Sequence, residues 1–262
     1  MENDPPLIIG HRGAATLAPE NTLRAFERAM QDGADGIEFD VRLSRDGVPV
    51  VIHDATLART GLINELVAEL TWEELQKIDV GSWFYRHQRT TTPDPEREKL
   101  PSLHQVFDFF RRQAGLLYLE MKSESADGSR LAVEVVRAIR EHSMDGRVVV
   151  SSFDISLVQE VKNIDSGIRT AALFEPRLSH PVAFVRKMKL VEIAKASGAD
   201  EIALHYALAG RRVVEKAKQT QLGVVVWTVD NPTWIERARL QGIRALITNK
   251  PAAMLRLRHT PV

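Results

Sequence analysis

Gly36-Ile37-Glu38-Phe39-Asp40-Val41-Arg42-Leu43-Ser44-Arg45-Asp46-Gly47-Val48-Pro49-Val50-Val51-Ile52-His53-Asp54 is the stretch on which the fold turns. Ile37, Phe39 and Val41 alternate with Glu38 and Asp40, the period of two of a β-strand, so the two carboxylates share one face. Residues 42–47 are too few for a crossover helix, so 48–52 is expected to return antiparallel to the first strand. Asp46-Gly47 is a favourable turn pair. A two-residue turn centred there sets His53 opposite Asp40; centred on Arg45-Asp46, it sets His53 opposite Glu38. Opposed residues share a sheet face, so either register brings His53 to the carboxylates. A three-residue loop would turn it to the other face.

Working outward, short apolar runs at 7–9, 36–40, 116–120, 148–151, 170–174, 201–204, 224–228 and 245–248 alternate with amphipathic helical stretches. Those helices include 22–30, 130–142, 182–196, 213–220 and 234–241. Eight strands with intervening helices predict a TM-less α/β protein of the TIM (β/α)8 barrel class, with the hairpin following the second strand. A doubly wound open sheet is the competing arrangement, but Gly10-His11-Arg12-Gly13 does not supply the Gly-rich turn that it would want after its first strand. Residues 1–262 therefore read as one barrel domain. Residues 55–100 break the rhythm and read as a small insertion over the barrel mouth. Within it, Thr71 and Glu74 have the spacing of a capping box, and a polar stretch with Thr90-Thr91-Thr92-Pro93 closes it.

Composition narrows the function. Lys+Arg and Asp+Glu are both 35, so no broad positive field favours nucleic acid, and any anion must be met by local cations. The lack of cysteine removes disulfides, thiolate catalysis and zinc–thiolate sites, and suits a reducing compartment. The first residues do not read as a signal peptide, and no apolar run approaches the roughly 20 residues that a membrane span needs. The expectation is a cytoplasmic protein without integral membrane association.

The candidate chemistry gathers at predicted strand ends. Glu38 and Asp40 would face the lumen, where two like charges suit a hard cation such as Mg2+ or Ca2+. Glu120 and Lys122, two apart on one strand face, offer a third carboxylate and a phosphate contact; the plainer alternative is a strand-end ion pair. His11 and His53 can divide acid and base work. Arg12 presents a planar fork of donors to an anion. Asn21 and Thr22 read as caps of the first helix. Phe153, His205 and Trp227 follow later strands and are candidates for the substrate wall, while His142, His180 and His259 read as surface.

Several of these segments together resemble the glycerophosphodiester phosphodiesterase family. They are Gly-His-Arg-Gly-Ala at 10–14, Ala-Pro-Glu-Asn-Thr at 18–22, Gly-Ala-Asp-Gly-Ile-Glu-Phe-Asp-Val at 33–41 and Asp-Gly-Val-Pro-Val-Val-Ile-His-Asp at 46–54. Leu-x-Arg-Thr at 57–60, Leu-Glu-Met-Lys at 119–122, Ser-Ser-Phe at 151–153, Trp-Thr-Val at 227–229 and Ile-Thr-Asn-Lys-Pro at 247–251 extend the match almost end to end. The resemblance implies a TIM barrel with a small insertion, hydrolysing glycerophosphodiesters to sn-glycerol 3-phosphate and an alcohol with a divalent cation. It implies Glu38, Asp40 and Glu120 as metal ligands, His11 and His53 as the acid–base pair, and Arg12 and Lys122 on the phosphate. The chain departs from the family in having Arg244-Ala245-Leu246 where Asp-Gly-Ile is frequent, and Asn249 where Asp is frequent. Two rivals remain. One is a lysophospholipase D acting on lysophospholipids through an apolar groove formed by Trp83, Phe84 and Tyr85; the other is a barrel kept only for binding.

Overall fold

The structure is a computed structural model that describes residues 4–88, 98–123, 127–176 and 184–258. Eight parallel strands form a barrel: β1 (Leu7–His11), β2 (Gly36–Leu43), β4 (Leu116–Met121), β5 (Val148–Ser152), β6 (Arg169–Phe174), β7 (Glu201–His205), β8 (Gly223–Trp227) and β9 (Ala245–Thr248). Their order runs β1-β9-β8-β7-β6-β5-β4-β2, and the β1–β2 pairing closes the ring. This is the TIM barrel that the alternating pattern predicts, with each expected parallel strand in place. Helices α1 (Leu23–Gln31), α4 (Leu103–Phe110), α5 (Gly128–Glu141), α6 (Ile155–Ile164), α7 (Phe184–Ala196), α8 (Arg211–Gln219), α9 (Thr233–Gln241) and α10 (Pro251–Arg258) lie between or after the strands.

The hairpin strand β3 (Pro49–Val51) pairs antiparallel with β2, but in neither expected register. Val41 faces Val51 and Leu43 faces Pro49, while Ser44 N–H donates to Val48 O across a three-residue loop. Gly47 adopts φ 87°, the left-handed position that such a loop places after a type I turn, so Arg45-Asp46-Gly47 forms the whole connection. In this register the ladder would send His53 to the face of Phe39. His53 escapes that parity because β3 stops at Val51 and the chain bends after Ile52. Arg42 Nε fixes the bend by donating to His53 O at 2.9 Å.

Strand parity separates two cores. Ile37, Phe39, Val41, Leu117, Leu119 and Met121 pack outward under α1, α4 and α5. Ile9, Tyr118, Val149, Ala171, Ala203 and Val225 fill the lumen with their neighbours. Residues 55–88 and 98–100 add a 3-10 turn (Val67–Glu69) and helices α2 (Trp72–Leu75) and α3 (Ser82–Gln88). The capping box holds, with the Thr71 and Glu74 side chains each bonded to the other's backbone N–H. Leu57, Val67, Leu75, Val80 and Leu100 close over Val50 and Ile52 in a small core of their own. Thr90-Thr91-Thr92-Pro93, His180 and His259 fall outside the described residues. Among the described residues, no helix is long and apolar enough to cross a membrane.

Candidate active site

The first strand delivers His11 into the lumen because it shares parity with Ile9, which is buried there. The chain must then turn sharply. Gly13 sits at φ 83°, and a Cβ there would come within 2.6 Å of the Ala25 backbone, so only glycine lets this loop close on α1. Arg12 adopts φ 52°, a left-handed conformation that costs a non-glycine residue roughly 1–2 kcal/mol. Two bonds hold it there: Asn21 N–H donates to Arg12 O, and Arg12 N–H donates to Glu38 Oε2 at 3.1 Å.

Glu38, Asp40 and Glu120 meet at the top of adjacent strands β2 and β4, where Asp40 and Glu120 are register partners. One oxygen from each lies within 4.8 Å of the others, and all three side chains are buried. Arg12 Nε lies 3.3 Å from Asp40, while Lys122 Nζ lies 3.2 Å from Asp40 and 2.6 Å from Glu120. Two cations thus face three carboxylates. Burial, then the charge of Asp40, pushes both Glu38 and Glu120 up to about 8. At Asp40 burial is outweighed by Lys122 and Arg12, and its carboxyl titrates below the usual range. Asn21 holds this carboxylate: its Nδ2 donates to Asp40 Oδ2 at 2.9 Å, and its Oδ1 accepts from Asp40 N–H. It does not cap α1, a task that Thr22 performs by accepting from Ala25 N–H.

The donor set fits a divalent hard cation. It is all oxygen, close enough to share one ion, and short of positive charge in its own surroundings. No imidazole or thiolate competes within the cluster.

The two histidines stand on either side. His11 Nε2 lies 3.8 Å from Glu38 Oε2, while its Nδ1 donates to Asn249 Oδ1 at 2.7 Å. His53 Nδ1 pairs with Asp54 Oδ1 at 2.6 Å. Burial lowers both imidazoles below their ordinary value, with Arg12 pressing His11 further down and Asp40 partly restoring His53. Arg59 ties the two sides together: Nε donates to Asp54 at 2.7 Å, and both Nη atoms donate to Glu20, which also accepts from Arg12.

His11, Arg12, Glu38, His53, Glu120, Lys122, Phe153 and Trp227 line one cavity of about 620 Å3 at the barrel mouth. Asp40 lies beneath them, 1 % exposed. His205 is not among the lining residues; it packs edge-on against Trp227 and lies at a 34° tilt over Tyr206. Phe153 and Trp227 stand edge to face at 5.4 Å. Trp83 and Tyr85 each meet the buried Phe84 edge to face, and none of the three lines this cavity. His142 is not a surface residue either: it is half-buried against His104 and Phe107. Sequence reasoning missed Glu20, Asp54, Arg59, Asp230 and the task of Asn249. Asp54 carried a local signal beside His53, and Glu20, Arg59 and Asn249 lay within motif segments already singled out, whereas Asp230 carried none.

Comparison with known proteins gives one consistent answer. The model of the glycerophosphoryl diester phosphodiesterase family matches residues 11–253. A glycerophosphodiester phosphodiesterase of Caldanaerobacter subterraneus is 32% identical over 253 residues, covering 96% of this chain and 97% of its own. Among solved structures, a glycerophosphodiester phosphodiesterase from Agrobacterium tumefaciens superposes with TM-score 0.77 at 25% identity, over 95% of this chain and 98% of its own. An Oleispira antarctica phosphodiesterase, solved with the product sn-glycerol-3-phosphate, superposes with TM-score 0.84 at 23% identity, over 98% of both chains.

Proposed function

The chain belongs to the glycerophosphoryl diester phosphodiesterase family, and on that premise we propose that it hydrolyses glycerophosphodiesters to sn-glycerol 3-phosphate and an alcohol in a cation-dependent, two-histidine reaction. One observation carries this reading: three buried carboxylates within reach of a single ion, with two imidazoles lining the same cavity. Glu38, Asp40 and Glu120 would hold the cation, Mg2+ or Ca2+. When bound it would supply charge neutralisation at a phosphoryl oxygen and favour ionisation of a hydroxyl.

The protein's own groups do the rest. Arg12 and Lys122 meet the phosphate, the guanidinium in a planar fork and the ammonium as a point charge. One histidine takes the proton of the attacking hydroxyl as the new P–O bond forms; water gives sn-glycerol 3-phosphate directly, whereas the glycerol 2-hydroxyl gives a cyclic phosphate whose ring P–O bond water then breaks. The other gives a proton to the departing alkoxide as the old P–O bond breaks. Each such transfer contributes on the order of 10²–10⁴-fold. The resting imidazoles are held low by burial, and the negative phosphodiester favours the protonated form of the one that must act as acid. Phe153 and Trp227 provide an apolar wall for the leaving alcohol, with His205 supporting Trp227. The segment 55–100 joins the site through Arg59.

Release of glycerol 3-phosphate from several glycerophosphodiesters, followed by a coupled assay with and without chelator, tests the proposal. Chelator-sensitive product from the diesters is expected. Choline release from lysophosphatidylcholine alone would move the function to a lysophospholipase D, and no product with any diester would leave only a binding role.

A further inference from the structure

Asn249 ends the last strand, and every polar group it carries is engaged. Its backbone N–H donates to Asp230 Oδ1 at 2.8 Å and its Nδ2 donates to Asp230 Oδ2 at 3.0 Å. Its carbonyl oxygen accepts from Thr16 Oγ1 at 2.9 Å, and its Oδ1 accepts from His11 Nδ1 at 2.7 Å. Asp230 is itself fixed by Thr248 Oγ1 at 2.8 Å. Burial works against the Asp230 carboxylate, but the hydrogen bonds from Asn249 and Thr248 outweigh it and keep it ionised below the usual range.

A carboxylate can only accept, so the amide NH2 of Asn249 must face Asp230 and its carbonyl oxygen must face His11. An amide turned the other way would set oxygen against oxygen at 3 Å from Asp230. The acceptor facing His11 then dictates that the proton of the neutral imidazole sits on Nδ1. The lone pair is left on Nε2, the nitrogen that points to Glu38 and into the cavity. We infer that Asn249, oriented by Asp230, is a positioning residue that locks His11 in the Nδ1–H tautomer, so that whichever proton His11 takes or gives passes through Nε2. This deepens the reading of His11 as a proton-transfer residue and rests on it.

The chain's departure from the family, Asn for Asp at this position, then has a physical content. An aspartate accepts on either oxygen and needs no partner to aim it, whereas an asparagine presents a single acceptor and requires Asp230 to choose which end faces the histidine.

The test reads the tautomer directly. In enzyme carrying 15N-labelled histidine, held above the imidazole titration, long-range 1H–15N correlation distinguishes a bare Nε2 from a bare Nδ1. Spectra are collected with Mg2+ and with chelator. In the wild type His11 is expected to show Nδ1–H and a bare Nε2 in both. Asn249→Leu should mix the tautomers and lower kcat on the order of 10²-fold with KM within about twofold. The paired swap Asn249→Asp with Asp230→Asn, which keeps an acceptor on His11 and a donor–acceptor contact between residues 249 and 230, should restore the tautomer and most of the turnover. Asp230→Asn, which lets the amide turn, should populate the Nε2–H form. A wild-type spectrum with the proton on Nε2, or an unchanged tautomer in Asn249→Leu, overturns the lock whether or not the enzyme cleaves diesters. Absence of hydrolysis with the tautomer as expected would instead condemn the functional reading and leave the lock standing.

Discussion

The barrel lumen has a buried acid cluster at its mouth and a buried acid at its floor, and the two are balanced differently. At the floor, Glu201 at the start of β7 is paired with Arg169 and Arg244, the latter at 3.2 Å, and accepts from Tyr118 Oη at 2.9 Å. Two cations and a hydroxyl serve one carboxylate. Burial, then Glu201, pushes the Tyr118 phenol far up, so it stays a donor. At the mouth, Arg12 and Lys122 face three carboxylates, and burial together with the charge of Asp40 raises Glu38 and Glu120 to about 8, whereas at Glu201 burial raises the carboxyl against the pull of both arginines and Tyr118. A closed account marks structure and an open one marks a site that waits for a ligand. The contrast also gives a physical role to Arg244, one of the chain's departures from its family: it belongs to the floor.

The sharpest way to break this contrast is to remove a mouth acid. Glu120→Gln or Glu38→Gln should cut kcat/KM by on the order of 10³-fold, about 4 kcal/mol of barrier stabilisation lost. The same change should abolish the thermal stabilisation by Mg2+ or Ca2+, while leaving the cation-free melting temperature equal or higher, because like charges are relieved. A variant that melts well below the wild type in chelator would show that the mouth acids stabilise the fold as the floor does.

The floor should behave in the opposite way. Replacing Arg169 and Arg244 together by Met strands Glu201, 2 % exposed at its side chain, and should cost about 3–5 kcal/mol in urea unfolding. The folded fraction should retain its kcat/KM. Lost turnover in folded protein would mean that the floor shapes the cavity as well as sealing it.

The smallest effect is a difference in pH slope. Glu38 and Glu120 are raised in the folded state, so in chelator the folded protein holds more protons than the unfolded one between 4.5 and about 8. Their contribution is full below 4.5 and fades as pH rises through about 8. Saturating cation should flatten that slope. Asp54 runs the other way. Burial opposes its ionisation, but hydrogen bonds from Arg59 and His53 bring it down to about 2. Its contribution is full above 3.8 and lost as pH falls from there towards about 2, and Asp54→Asn should remove this acid-limb dependence. Chemical denaturation across pH, with and without cation, measures both.

The strands and the carboxylate pair were legible in the sequence because parity and apolar neighbours are local signals. Glu38 and Asp40 could be placed on one face of their strand from spacing alone, whereas Glu120 joined them through its place on the neighbouring strand and the family resemblance. The hairpin register was not legible: Asp46-Gly47 suits both a two-residue turn and the end of a three-residue loop, and the register found is the one that packs Val50 and Ile52 against Leu57, Val67, Leu75, Val80 and Leu100. Asn21, Arg59 and Asn249 were missed or assigned elsewhere for a related reason. Their partners are chosen by closure of the barrel, across separations as large as the 238 residues between His11 and Asn249.

That last separation reaches back to protein synthesis. His11 is made 238 residues ahead of its acceptor, and β9 also covers the edge of β1 that β2 leaves open. Until β9 has been made and has docked, this histidine lacks its acceptor and β1 has only β2 beside it. The same seam that closes the barrel therefore completes the hold on His11.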